Sequence, residues 1–330
     1  PVDLDRDIFE MAFASMPKLA APGPSGWKAE WLLVAGAGAA DPLTKELVGP
    51  ALDSLFDLCA VVATGNIANE AADILSASRL VAIPKPGRDA ADVRPIAVGE
   101  CLRRLVARTL TQQFSDVFAD HLLPLQLGVG VPGGLEVVVH AIRAVLARDP
   151  TLVVAQLDVA NAFNSVSRYE MMKEMLENFP ALYPFVSRFY GTPARLFHSL
   201  EGGSTEVLLS EQGTQQGDPL GSALFAIALQ PVLRRLSEQF PGCHLWAGHD
   251  DLHIVGHADE VARACQAAAS ELAVVQLRLC PSKCRVFSPG DGDAPAMPAG
   301  AAPFPAGFVV VPPDEGILVF GVPIGSDAFV

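Results

Sequence analysis

No uninterrupted apolar run reaches the roughly 18 residues needed to span a bilayer, and the chain does not open on the basic, apolar and small-residue succession of a secretory leader. A soluble, intracellular protein with no membrane contact is the expectation. Cysteine is sparse: Cys59, Cys101, Cys243, Cys265, Cys280 and Cys284 are too few and too scattered for a disulfide framework in 330 residues, so reduced thiols are expected. Positive charge is short as well. Lys and Arg number 23 against 37 Asp and Glu, a net charge of −14, which works against any partner bound chiefly through phosphate contacts. The chain also lacks a Gly-x-x-x-x-Gly-Lys loop, a Gly-x-Ser-x-Gly elbow and a dinucleotide fingerprint opening a helix, which removes support for those chemistries.

What is present is a chain that is 50% hydrophobic, enough to bury the core of one large or two ordinary domains. The scarce basic residues are clustered: Arg79, Lys85, Arg88, Arg94, Arg103, Arg104 and Arg108 face only Asp89, Asp92 and Glu100 between positions 79 and 108. This is either a phosphate-directed surface or a solvated face on an acidic protein. Hydrophobic periodicity and turn chemistry predict a helical start to about Ala21, a turn over Ala21–Trp27 and a helix over 42–62. Strands at Arg79–Ile83 and Val93–Val98 flank Pro84-Lys85-Pro86-Gly87 and lead into a helix over Glu100–Phe118. A strand at Leu152–Leu157, a helix over Val166–Asn178, a hairpin around Gly202-Gly203 and a buried helix over Leu220–Phe240 follow. Two strands are expected within His244–Val255, joined by a tight turn at His249–Asp251. A helix over Asp259–Val275 and strands at Lys283–Phe287, Phe308–Val311 and Gly316–Phe320 close the chain. Pro289–Gly307, dominated by Pro, Gly and Ala, reads as a flexible loop. The mixed order argues an α+β fold with an antiparallel sheet.

Three short segments carry chemistry: QLDVANAF ending at Phe163, QQGDPLGS ending at Ser222, and the pair Asp250-Asp251. Asp158 ends an apolar strand and Asp250-Asp251 sits in a predicted hairpin turn. Either acid could serve only as a cap or turn former. Together they are the carboxylate set that a two-metal phosphoryl-transfer centre requires, with hard oxygen donors that favour Mg²⁺. Adjacent strand residues point to opposite faces, so only one of the two tandem acids can aim directly at such ions. His249, His253 and His257 with Cys280 and Cys284 lack common zinc spacing.

The chain resembles the reverse transcriptase domain of non-LTR retrotransposons and related retroelement polymerases. The resemblance rests on APGPSGW (21–27), LVAIPKPG with RPIAVGECLRRL (80–105), LQLGVGVPGGLE (125–136), QLDVANAFNSVSR, QGTQQGDPLGSALF (212–225), Asp250-Asp251, CPSKC (280–284) and ILVFGVPIG (317–325), all in the family's order. It implies a right-hand polymerase fold with an N-terminal extension and fingers in 1–150, a palm in 151–288, the loop at 289–307, and primer-grip-like strands in 308–330, with the thumb largely absent. The palm sheet would be antiparallel and backed by helices. It further implies an RNA-directed DNA polymerase that uses two Mg²⁺ ions, with Mn²⁺ as a substitute, an RNA template, a DNA or RNA primer and dNTP. Asp158 and Asp250 would be the main metal ligands, with Asp251 beside them and the Val159 carbonyl completing the site. Phe163 would be the ring that excludes a 2′-hydroxyl, Lys85 and Arg94 would hold the triphosphate, Gln216 and Gly217 would approach the nucleotide, and Lys283 would protonate pyrophosphate. Gly248 departs from the family, which usually has an aromatic residue two positions before the first Asp of the pair; the loss is expected to loosen the hairpin. A catalytically silent, element-derived binding domain and an RNA-dependent RNA polymerase are the other readings, and Phe163 argues against the latter.

Overall fold

A computed structural model describes residues 1–36, 50–85, 92–200, 202–289, 303–312, 314–326 and 329–330. In chain order its elements are α1 (Arg6–Ala14), α2 (Ala29–Gly36), α3 (Pro50–Ala63), α4 (Asn69–Ser76), β1 (Ser78–Pro84), β2 (Val93–Gly99), α5 (Cys101–Gln113), α6 (Ser115–Leu122), α7 (Gly134–Arg148) and β3 (Val153–Leu157). There follow α8 (Ala162–Ser165), α9 (Arg168–Asn178), α10 (Tyr183–Tyr190), β4 (Ala194–Ser199), β5 (Thr205–Ser210), α11 (Gly221–Gln239), β6 (His244–Gly248), β7 (Asp251–Gly256) and α12 (Ala258–Val274). A 3₁₀ turn at Pro281–Lys283 precedes β8 (Arg285–Phe287), β9 (Val309–Val311), β10 (Gly316–Val319) and β11 (Val322–Gly325). Among the described residues no helix is long and apolar enough to cross a membrane. The loop expected at 289–307 and the Pro86-Gly87 part of the predicted turn fall largely outside the described residues.

The chain divides into two compact units, Pro1–Phe114 with Arg168–Leu224, and Ser115–Ser167 with Phe225–Val330. In the first, α1 starts where the Asp5 carboxylate accepts the Ile8 N–H (2.9 Å), and it buries Phe9, Ala12 and Phe13 at helical spacing. The unit's sheet has the order β2-β1-β4-β5: the β1/β2 hairpin pairs Ser78 with Gly99 through Pro84 with Val93, and the β4/β5 hairpin pairs Ala194 with Ser210 through Ser199 with Thr205. A parallel pairing of β1 with β4 joins the two hairpins.

The second unit holds a sheet of order β6-β7-β3-β8-β9, antiparallel from β6 to β8 with β9 added in parallel to β8. The stretch between β8 and β9 exceeds the dozen residues that a parallel crossover needs. Val154, Val255 and Phe287 on one face pack with Val138, Val139 and Ile142 of α7 and with Ile317, Val319 and Ile324 of the β10/β11 hairpin. The alternate residues Ala155, Leu157, Leu252 and Ile254 are equally buried, and α12 packs against β3 and β7, so both faces are covered. Double coverage is why Val153, Val154 and Ala155 run apolar without alternation, Gln156 alone being polar and only partly buried.

Several elements differ from expectation. The helix expected over Glu100–Phe118 is two, broken at Phe114, and the one expected over Val166–Asn178 is α9, which starts at Arg168 and is preceded by the short, unexpected α8. Helices α2, α4, α7 and α10 and strand β11 carried no expectation.

Candidate active site

The site starts from a register. The β3/β7 ladder runs from Val153 opposite Gly256 to Leu157 opposite Leu252, so one further step sets Asp158 opposite Asp251. The β6/β7 ladder ends with Gly248 paired to Asp251, leaving His249 and Asp250 as a two-residue turn. His249 takes a left-handed φ of 58°, uncommon outside glycine though His is among the residues enriched there. The backbone around Asp158 is pinned: its carbonyl accepts the Cys280 N–H (2.8 Å), its own N–H lies 3.4 Å from Cys284 Sγ, and the Ala160 N–H donates to the Arg278 carbonyl (2.9 Å). Val159 forms a single bridge to Leu279. The hydrogen bonds of that bridge pass through the Asp158 carbonyl and the Ala160 N–H rather than through the Val159 carbonyl.

Burial, and then the negative charges of Asp250 and Asp158, push the Asp251 carboxyl up to about 6. Lys283, in the 3₁₀ turn, brings Nζ to 3.7 Å from Asp158 Oδ1. Asp158, Asp250, Asp251 and Lys283 are therefore brought into one electrostatic cluster. Among the described residues no three His, Cys, Asp or Glu side chains are gathered as a ligand set for one ion. The cluster fits Mg²⁺ through its donor chemistry: oxygen ligands only, and like charge that a divalent cation would relieve.

The raised Asp251 carboxyl has a consequence for folding. Its folded value lies above the ordinary 3.8, so its stabilising protonation is fully present below about pH 4 and is lost as pH rises through about 6. Asp251→Asn is expected to stabilise the metal-free protein at pH 8 by about 1–2 kcal/mol, after screening by solvent, and by much less at pH 4. Denaturant titration in EDTA at both pH values checks this; an equal change at both would contradict the assignment.

Phe163, in α8 directly after this strand end, stacks on Phe225 with centroids 4.7 Å apart and lies 6.4 Å from the His249 ring. It is half-buried, backed on one side by a fully buried ring. The acidic turn is held by a residue that sequence reasoning passed over. Gln126, fully buried, accepts the His249 N–H at Oε1 (2.7 Å) and donates from Nε2 to the His249 carbonyl (2.9 Å). Gly128 lies close enough that a Cβ there would stand 2.8 Å from the His249 nitrogen. The available signal was a polar amide inside the apolar run Leu125-Gln126-Leu127, which must find partners if buried.

The loosening expected from Gly248 is not found. The ladder is complete to the Gly248–Asp251 pair, and the position of a Cβ at 248 lies 2.5 Å from both Leu135 Cδ2 and Phe320 Cζ.

The remaining expected residues belong to the first unit. Lys85, just past β1, pairs its Nζ with Asp92 Oδ1 (2.5 Å) and its N–H with the Asp92 carbonyl (3.0 Å), which closes the hairpin. Arg94 is exposed on β2. The Gln216 carbonyl accepts the Ala97 N–H (2.7 Å). Gly217 has φ 116°, and a Cβ there would lie 2.5 Å from the Ala97 carbonyl, so its glycine is required by contact with β2. Beneath this loop Arg103 donates to Asp218 Oδ2 (2.7 Å), with both side chains almost fully buried. The Tyr190 hydroxyl donates to the same oxygen (2.8 Å), and Arg103 stands over the Phe189 and Tyr190 rings. Asp218 Oδ1 also accepts the Leu220 N–H ahead of α11. Three members of the basic cluster thus serve structure: Arg103 here, Arg104 on the Ala21 carbonyl and Arg108 on Ser15 Oγ.

In the second unit, antiparallel strands thus bring a hairpin turn with tandem acids beside an acid just past a strand end. A family model described as "Reverse transcriptase (RNA-dependent DNA polymerase)" matches residues 83–322, and the chain belongs to the reverse transcriptase family. Among solved structures, apo telomerase from Candida tropicalis truncated from its C-terminal domain is similar at 12% identity and a TM-score of 0.50, covering 66% of this chain and 51% of that one. Telomerase from Candida tropicalis in complex with a TWJ fragment of telomeric RNA is similar at 12% identity and a TM-score of 0.52, covering 68% and 43%. The chain spans about half the length of these structures or less, and at this identity the likeness concerns the fold.

Proposed function

We propose that the chain is the polymerising part of an RNA-directed DNA polymerase of the non-LTR retroelement type, joining dNTP to a primer 3′-hydroxyl on an RNA template. The observation that carries the reading is the register that sets Asp158 opposite Asp251 with Asp250 in the adjoining turn. Asp158 and Asp250 would hold two Mg²⁺ ions, or Mn²⁺ as a substitute, with Asp251 and the Val159 carbonyl beside them. When bound, the ions would stabilise charge on the attacking and leaving oxygens. The protein's own part is positioning and charge. The pinned backbone at Asp158 and the Gln126 clamp on His249 hold the acids still. Lys283 Nζ would give its proton to the leaving pyrophosphate. Lys85 and Arg94 would hold the triphosphate, Lys85 exchanging Asp92 for phosphate, and Gln216 and Gly217 would lie along the nucleotide. The fingers, expected from residues 1–150, would also draw on β4 and β5.

Phe163, backed by Phe225, would close the space under the sugar to a 2′-hydroxyl. The test is incorporation of dTTP against UTP on a poly(rA) template. Wild type is expected to prefer dTTP strongly, and Phe163→Ala to raise UTP use by about 10–100-fold, the range that a steric pocket contact commands. Unchanged UTP use would remove the gate role, and equal use by wild type would favour the RNA-dependent RNA polymerase. The silent-domain reading is favoured by the Lys85–Asp92 pair, which occupies the lysine expected to meet phosphate; a folded wild type that incorporates neither nucleotide would establish it.

A further inference from the structure

Phe320 is held in an unusual backbone state. The β10/β11 ladder closes at Val319 with Val322, leaving Phe320-Gly321 as a two-residue turn with φ of 50° and 80°. Positive φ at both positions is the signature of a hairpin turn that favours Asn-Gly or Gly-Gly, and an aromatic side chain in its first place is disfavoured. Such a state persists only where the surroundings over-determine it. Here they do: Gln156 Nε2 donates to the Leu318 carbonyl (3.0 Å), Arg143 donates to the Pro323 carbonyl (2.8 Å), and Ile317, Val319 and Ile324 are buried against the sheet.

The docked turn aims the ring at the β6/β7 hairpin. The Phe320 ring meets His253 edge-on, centroids 5.2 Å apart. His253 is fully buried and neither ring nitrogen has a hydrogen-bond partner, so this face of β7 is held by packing. Phe320 Cζ and Cε1 stand 2.5 and 2.7 Å from where a Cβ at 248 would lie, a separation that van der Waals contact forbids. The ring, with Leu135 Cδ2 beside it also at 2.5 Å, therefore occupies volume that belongs to a side chain at 248, and Gly248 is the ladder partner of Asp251 and the last residue before the acidic turn.

We infer that Phe320 is a positioning residue for the Asp250-Asp251 turn, inserted from the neighbouring hairpin into the space that Gly248 leaves open, so that positions 248 and 320 share one ring's worth of volume. The atoms that a side chain at 248 would meet are side-chain ends, not backbone. A ring at 248 would displace Phe320 rather than break the sheet.

The kinetic consequence rests on the polymerase reading; the packing consequence does not. A mutant cycle of Gly248→Phe, Phe320→Ala and the double variant separates the two. Gly248→Phe is expected to lower Tm by several degrees in the wild-type background, and to leave it unchanged or raise it where residue 320 is Ala, the non-additivity of residues in contact. The same loss in both backgrounds would overturn the shared-volume inference. Should Gly248→Phe fail to fold, Gly248→Ala completes the cycle, because its Cβ already meets the ring. Phe320→Ala is expected to speed amide exchange across 248–252 by about tenfold or more while α12 is unaffected, as local rather than global opening requires. Exchange rising evenly across the unit would reduce Phe320 to core packing. In primer extension Phe320→Ala should lower kcat by about tenfold with KM for dNTP little changed, the mark of misplaced acids. A change in KM alone would contradict positioning. A wild type without activity would count against the polymerase reading and leave the Tm and exchange results to decide this one.

Discussion

Arg103→Met is expected to destabilise the first unit by about 3–5 kcal/mol, the range for removing one member of a buried ion pair. Arg103 and Asp218 side chains are 3% and 5% exposed, so the carboxylate left behind would be nearly cut off from water. The Tyr190 hydroxyl would remain as a donor to Asp218 Oδ2, but no positive charge would, and the Phe189 and Tyr190 rings would lose the cation over their faces. Methionine matches the apolar stem of arginine, so a loss of this size would reflect charge rather than a cavity. The loss should spread to the Gln216-Gly217 loop, because Asp218 follows it directly and Gln215 Oε1 also accepts from Ser78 Oγ (3.2 Å). Chemical denaturation of the two proteins checks the value. A loss below about 1 kcal/mol would mean that the pair is no better than an exposed one.

Gln126→Leu is the second large effect. Leucine keeps most of the volume but removes both hydrogen bonds to His249 and leaves that residue's N–H and carbonyl without the amide that satisfies them. Two such losses cost about 2–4 kcal/mol. Since these bonds define the turn that carries Asp250, nucleotide incorporation should fall by about 100-fold, the scale for an ångström-sized misplacement of a reacting group. Thermal denaturation with single-turnover kinetics separates the two effects. Incorporation that falls no further than the folded fraction would show Gln126 to be purely structural.

Which parts of this were legible beforehand follows from locality. Strand β3, the β6/β7 and β4/β5 hairpins and helices α11 and α12 announce themselves through short-range periodicity and turn residues, and their bounds fall within a few residues of expectation. The tandem acids and Asp158 were found as a motif, but that Asp158 stands one step past the end of a ladder that leads to Asp251 needed the β3/β7 register, which joins residues about a hundred positions apart. The parallel β1/β4 and β8/β9 pairings have no local signature for the same reason. The basic cluster misled in part, because charge in a sequence does not reveal burial: Arg103 turns inward to Asp218. Gly248 misled by absence. A missing side chain reads as lost packing, while the atoms that replace it come from Leu135 and Phe320, far away along the chain.

The most direct measurement is primer extension on poly(rA)/oligo(dT) with dTTP and Mg²⁺, comparing the wild-type chain with Asp250→Ala. Extension by the wild type that is abolished in a folded Asp250→Ala protein is the predicted result. No extension by a folded wild type, or extension that survives in Asp250→Ala, would contradict a metal-dependent polymerase working through these acids.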